Sequence, residues 1–129
     1  MEKSQTQALV LDPQKDGRLE PRGSVEEQTL RSIRLLINQE LTGSEQFVGG
    51  LATFEPGTKV SLHEHPDAEE VNVVVAGSGL FVTAAGKRPL KLGDWQFIPK
   101  GVAHAHENDG TEPFTILWLY SPPTLSVPK

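Results

Sequence analysis

His63 and His65 stand one residue apart in the segment GTKVSLHEHPDAEEVNVVVAG (57–77), and His104 and His106 repeat that spacing in GDWQFIPKGVAHAHEN (93–108). These are all the histidines of the chain. On an extended strand, residues two apart point to the same face, so each pair aims two imidazoles at one side of a sheet. Two such pairs can converge on one point. Neutral imidazoles converging with a carboxylate, which Glu69 or Glu70 supplies, are the donor set of a divalent first-row metal, with nitrogen and oxygen at about 2.0–2.2 Å from the ion. The sequence has no cysteine. A site without thiolates is unlike a finger-type structural zinc and fits a centre with positions open to water or substrate.

The two segments carry a resemblance. The first reads G-x5-H-x-H-x4-E-x6-G through Gly57, His63, His65, Glu70 and Gly77, and the second reads G-x5-P-x-G-x2-H-x3-N through Gly93, Pro99, Gly101, His104 and Asn108. Both resemble the two sequence motifs of the cupin superfamily, joined by a short link as in small single-domain cupins. Strand parity leaves Glu69 and Glu70 open, because Val71, Val73 and Val75 share one face while Glu70, Asn72 and Val74 share the other. The resemblance selects Glu70 and implies that His63, His65, Glu70 and His104 are metal ligands, with Glu69 an exposed carboxylate. It implies one divalent transition metal, with iron, manganese or nickel ahead of zinc or copper, since the same donors accept them all.

Four ligands leave two positions on an octahedral ion. A bidentate enol, diketone or hydroxy acid would fill both, as would one substrate atom with dioxygen. The expected function is therefore a metal-dependent enzyme acting on a small oxygenated metabolite, most concretely a dioxygenase, with decarboxylase, lyase or isomerase chemistry behind it. The alternatives are a non-catalytic binding or sensor module and a dimer that the metal merely stiffens. Glu70 doubles as a candidate base, and His106, in phase with His104, as a group that orients substrate or shuttles a proton near neutral pH. Asn72, in phase with Glu70, is a candidate hydrogen-bonding group for substrate, as are Trp118 and Tyr120, whose rings carry a polar handle.

The rest of the chain must position these groups. A length of 129 residues makes one domain that buries about two thirds of its unfolded surface. A net charge of −5, with lysine and arginine scattered, argues against nucleic acid as a partner. The apolar run 8–11 is too short for a signal-peptide core or a membrane span, and the absence of cysteine fits the cytoplasm. Residues 1–28, punctuated by Pro13, Gly17, Pro21 and Gly23, read as an N-terminal arm. Within it Ser24 and Glu27 form a capping box for one short turn, and 8–11 is a candidate added strand. By resemblance to small cupins, a homodimer is expected.

Short strands then follow at 32–38, 46–54, 59–65, 69–76, 80–83, 89–92, 95–98, 102–107 and 113–120, separated by turn residues such as Pro56-Gly57, Ala85-Gly86 and Asp109-Gly110. With no amphipathic helix of useful length this is an all-β sandwich or barrel over 29–122. The resemblance specifies the cupin double-stranded β-helix, a jelly-roll-like β-barrel. Phe114, Ile116, Trp118 and Tyr120 share one face of the last strand. Trp95 and Phe97 share one face of theirs, and both sets are expected mainly to fill the core. Asn108 suits the entry to its turn. The proline-rich segment 123–129 reads as an extended tail.

Overall fold

A computed structural model describes residues 7–123. Eleven short elements follow in order: α1 (Pro13–Asp16), β1 (Arg18–Arg22), β2 (Arg31–Ile37), α2 (Gln39–Thr42), β3 (Val48–Phe54), β4 (Glu69–Ala76), β5 (Gly79–Thr83), β6 (Gly86–Leu90), β7 (Trp95–Ile98), β8 (Ala105–Glu107) and β9 (Phe114–Ser121). All strand pairings are antiparallel, in a six-stranded sheet ordered β1-β2-β3-β9-β4-β7 and a three-stranded sheet ordered β6-β5-β8. The expected all-β jelly-roll architecture is the one observed. No described helix is long and apolar enough to cross a membrane.

Alternation builds the interior. Ile33 and Leu35 on β2, Ala52 and Phe54 on β3, Val74 on β4, and Phe114, Ile116, Trp118 and Tyr120 on β9 are buried in one cluster, with Phe81 packed against it. Each residue between them points outward, which is the period-two pattern of a sheet with one buried face. The buried row of β4 is Glu70, Asn72 and Val74, so the parity that aims the carboxylate inward also carries an amide with it. Positive φ angles at Gly77 (70°) and Gly101 (72°) turn the chain at the corners, a conformation open to glycine at little cost. At Gly77 a Cβ would also run into the Pro113 carbonyl.

Five elements differ from the sequence expectation. The segment 59–65 forms no continuous strand and has only isolated bridges at Lys59–Glu107 and His63–His104 as ladder pairing, because the Lys59 N–H donates to the Gln28 carbonyl (2.6 Å) and Pro66 has no N–H to offer. Residues 8–11 form no strand; Leu9 and Val10 are exposed. Within the expected arm, Arg18–Arg22 joins the large sheet as an edge strand, paired with β2, and α2 closes the β2–β3 connection with Asn38 capping it through Leu41 N (2.7 Å). Trp95 and Phe97 are not core: they are 75% and 61% exposed, and Gln96 and Ile98 take the inner face of β7. Ser24 caps a single turn (Glu27 N–H to Ser24 Oγ, 3.1 Å), but its own N–H donates to Thr29 Oγ1 (3.1 Å) and its hydroxyl to Glu27 Oε1 (3.2 Å), so the reciprocal bond of the expected capping box is not made. Most of the expected tail, 124–129, lies outside the described residues.

Candidate metal centre

Three backbone bonds bring the histidine segments together. His63 N–H donates to His104 O and His104 N–H to His63 O, both at 2.9 Å, and Gly101 N–H donates to His65 O at 2.9 Å. The turn of the second motif is thus sewn directly to the first. The ligating atoms of His63, His65 and His104 lie within 4.8 Å of one another. Glu70 Oε1 lies 3.2 Å from His65 Nε2 and 3.5 Å from His104 Nε2. His65, Glu70 and His104 are buried and His63 is half-buried. The His65 ring stacks on Tyr120 (5.3 Å between centroids), and Tyr120 on Trp118 (5.8 Å), so β9 sets the plane of one imidazole through a column of rings.

The donor chemistry fits a cation. His104 Nδ1 lies 2.9 Å from the Val102 carbonyl, which only accepts, so Nδ1 carries the proton and Nε2 presents its lone pair. Burial holds the His104 pKa below its ordinary value, against the opposing bond to Val102, so near neutral pH this imidazole is uncharged. Its contact with Glu70 is then that of a neutral ring whose Nε2 lone pair faces the carboxyl group. A divalent ion would be coordinated by such groups, and a carbonyl behind the ring is the usual way a ligating histidine is oriented. Among the described residues this cluster offers three imidazoles and no thiolate, with the Glu70 carboxyl against two of the three rings.

His106 points inward beside this cluster but does not join it. Its ring packs among Phe54, Phe81 and Phe114, and its Nε2 donates to Gln96 Oε1 at 3.0 Å. Complete burial, then the neighbouring His104, lowers its pKa to about 3, so it acts as a neutral hydrogen-bonding ring. Glu69 is exposed. Asn72 is fully buried and stands in register between Gln96 on β7 and Trp118 on β9. Both amide atoms of Asn72, the Gln96 Nε2, the His106 Nδ1 and the Trp118 Nε1 have no protein partner. This row of unmatched donors and acceptors lies one pleat beyond Glu70. Gln96 is a residue that the sequence reading missed: assigning the large rings of β7 to the core turned it outward, although its register with the inward Asn72 places it inside.

Burying neutral imidazoles makes the metal-free protein acid-sensitive. Above pH 6.5 histidine is neutral whether folded or unfolded, and neither state gains. Below that value the unfolded chain takes up protons that folded His104 and His106 resist, so stability falls with pH. His106 alone is expected to remove about 2 kcal/mol between pH 6.5 and 5. Urea unfolding of metal-free protein across that range measures the slope, and His106→Gln should flatten it.

Residues 50–120, more than half of the chain, match the cupin domain family. The chain belongs to that family. It is 31% identical over 100 residues to a gentisate 1,2-dioxygenase of a Ralstonia species, a match covering 72% of this chain and 27% of that enzyme. It is 33% identical over 78 residues to the protein SchB of Streptomyces halstedii, covering 60% of this chain and 56% of that protein. The chain therefore spans little more than half, or less, of the length of these relatives. A solved Thermotoga maritima structure, described as a predicted oxalate decarboxylase, superposes with a TM-score of 0.76 at 22% identity over 88% of this chain and 98% of that one, which is a likeness of fold.

Proposed function

We propose that the protein is a metal-dependent cupin enzyme acting on a small oxygenated metabolite, with His63, His65, His104 and Glu70 holding one divalent transition metal and a dioxygenase as the most concrete reaction class. The observation that carries this reading is the convergence of three imidazoles, their ligating atoms within 4.8 Å of one another, with Glu70 Oε1 3.2 Å from His65 Nε2 and 3.5 Å from His104 Nε2. The likeness to a gentisate dioxygenase supports the reaction class. When bound, such an ion supplies Lewis-acid polarisation of a chelating oxygen pair or, if redox-active, electrons. The chain's own contribution is positional. Val102 and the Tyr120–Trp118 column fix two imidazole planes, and buried Glu70 accepts a proton from a substrate hydroxyl beside it. Asn72, Gln96 and Trp118 offer unmatched groups that a ligand's oxygens can satisfy, while His106 keeps Gln96 in place.

The test is oxygen consumption by protein reconstituted in turn with iron, manganese and nickel, using a flavonol and a diketone as chelating probes. Turnover with one of the metals, lost in Glu70→Gln, is the expected outcome. Tight probe binding without turnover of either would instead make the chain a binding module.

We infer further that the working form is a cytoplasmic homodimer packed through the outer face of the large sheet. Trp95 and Val73 are paired there, as are Phe97 and Val71, and Leu117 and Leu119 continue both rows on β9. A depression of about 390 Å³ joins Phe97 and Val71 to Phe47 and Leu119. From their fractional exposure, the two aromatics alone offer on the order of 300 Å², a substantial part of the roughly 800 Å² per partner of a standard interface. Apolar rows that meet their own copy across a two-fold axis bury the same residues on both sides, so a second copy is the occupant proposed. Sedimentation equilibrium is expected to give twice the monomer mass for the wild type and the monomer mass for Trp95→Glu/Phe97→Glu; a monomeric wild type rejects the interface.

A further inference from the structure

A second cavity, of about 530 Å³, lies beside the histidines and is lined by Arg22, Thr29, Arg31, Glu64, His63 and His65, among others. Two of its walls come from β1 and β2, the strands at the edge of the large sheet. Arg22 and Arg31 are directly opposed there as Cα partners. Like charges opposite one another on neighbouring strands destabilise a sheet, so the pairing asks for a compensating anion.

The protein's own carboxylates supply it only in part. Glu20 Oε1 takes a hydrogen bond from Arg22 at 3.1 Å. Arg31 has no carboxylate partner among the described residues; one terminal nitrogen donates to the Thr29 carbonyl at 2.8 Å, and its buried Nε has no partner at all. Glu64 lines the same cavity, yet it forms no ion pair with either arginine and one of its oxygens lies toward Gly101. Partial burial, then the charge of Arg22, lowers the Arg31 pKa, the mark of a guanidinium short of counter-charge. A buried charged donor without an acceptor costs more than most lost hydrogen bonds. An arginine fork offers two parallel N–H groups that match a planar carboxylate or a phosphate.

We propose that Arg31, assisted by Arg22, is an oxyanion-recognition site that selects metabolites carrying a carboxylate or phosphate and holds that group at the mouth of the histidine cluster. The inference rests on the metal-site reading only for what then happens to the ligand, because the arginines would bind an anion whether or not an ion sits between the histidines. A substrate of this class spans the cavity, with its charged end on β2 and its chelating oxygens toward His63 and His65. That arrangement excludes neutral diols of the same size, which would leave Arg31 unpaired.

The experiment is isothermal titration of full-length protein, stripped of metal and returned to chelator-free buffer, with malonate and with inorganic phosphate as probes. Saturable binding of at least one probe is expected, weakened about tenfold or more in Arg31→Met and less in Arg31→Lys, which keeps the charge without the fork. Whichever probe binds identifies the source of the oxyanion. Circular dichroism and thermal unfolding establish that the variants are folded, and Arg31→Lys carries the test if Arg31→Met is not. Equal affinity in wild type and folded Arg31 variants, or no binding of either probe, overturns the proposal. Metal uptake by the same proteins is read separately. Uptake with no effect of Arg31 on anion binding overturns this inference and leaves the metal centre standing, whereas anion binding through Arg31 in a protein that takes up no metal does the reverse.

Discussion

Replacing His104 with alanine is expected to lower affinity for the bound metal by at least about a hundredfold, since even a group supporting a ligand is worth ten- to a hundredfold. Elemental analysis of tag-free protein should then find one equivalent in the wild type and little in the variant. The expectation is specific to the side chain. His104 N–H and C=O bond to His63 through the backbone at 2.9 Å, and alanine keeps both, so the two segments stay joined while one donor of the cluster disappears. Glu70→Gln should behave similarly with almost no change in shape, because it removes the charge that faces His104 and His65. Glu69→Ala, one residue along the same strand but exposed, is the control that should keep its metal. Retention of a full equivalent in His104→Ala would mean that the cluster is not the metal centre, and the function proposed from it would fall with it.

The inward row of β4 was legible because the family resemblance set Glu70 inward and period two did the rest: once Glu70 faces the interior, Asn72 and Val74 must follow. The same arithmetic on β9 sets Phe114, Ile116, Trp118 and Tyr120 together, and all four are buried. On β7 the period was equally clear and the face was not. Trp95 and Phe97 are the larger side chains, and size argues for burial in a strand that stands alone. Here the partner decided, since β7 pairs with β4 so that Gln96 and Ile98 sit beside Asn72 and Glu70. Register with a neighbour is information that no local window contains.

A similar limit hid the arginines. Arg22 falls among prolines and glycines that read as an irregular arm, and Arg31 precedes the alternating run of β2. Only the antiparallel pairing of the two strands sets them opposite one another at a cavity. The two-residue spacing of each histidine pair predicted a shared face, whereas the joining of the pairs depends on the His63–His104 bridge between segments some forty residues apart. The strand expected at 59–65 reduces to that bridge and one other. Alternation there describes side-chain direction correctly without a continuous ladder, because one N–H is spent on Gln28 and the segment ends against Pro66.

Asn108→Ala is expected to destabilise the fold by about 3–5 kcal/mol, a large share of the total for a domain of this size. The side chain is buried and fully employed. Its Nδ2 donates to the Phe54 and Glu112 carbonyls, each at 2.8 Å, and its Oδ1 accepts from Gly110 N–H at 3.0 Å. Its backbone exchanges bonds with Gly57 (2.9 Å) and Thr58 (3.0 Å), so a single residue ties the end of β3, the start of the segment that carries His63 and His65, and the turn into β9. Alanine removes three hydrogen bonds and strands the buried Phe54 carbonyl, while the Gly110 and Glu112 groups lie on exposed turn residues. Asn108→Asp separates hydrogen bonding from packing, because the carboxylate has the same shape but would set acceptor oxygens against two carbonyls. If the amide donors matter, aspartate should be at least as damaging as alanine in thermal and urea unfolding; if Asn108 only fills space, aspartate should be tolerated. Because the lost bonds anchor the first histidine segment at its root, loss of stability in Asn108→Ala should be accompanied by weaker metal uptake, even though Asn108 contributes no donor to the cluster.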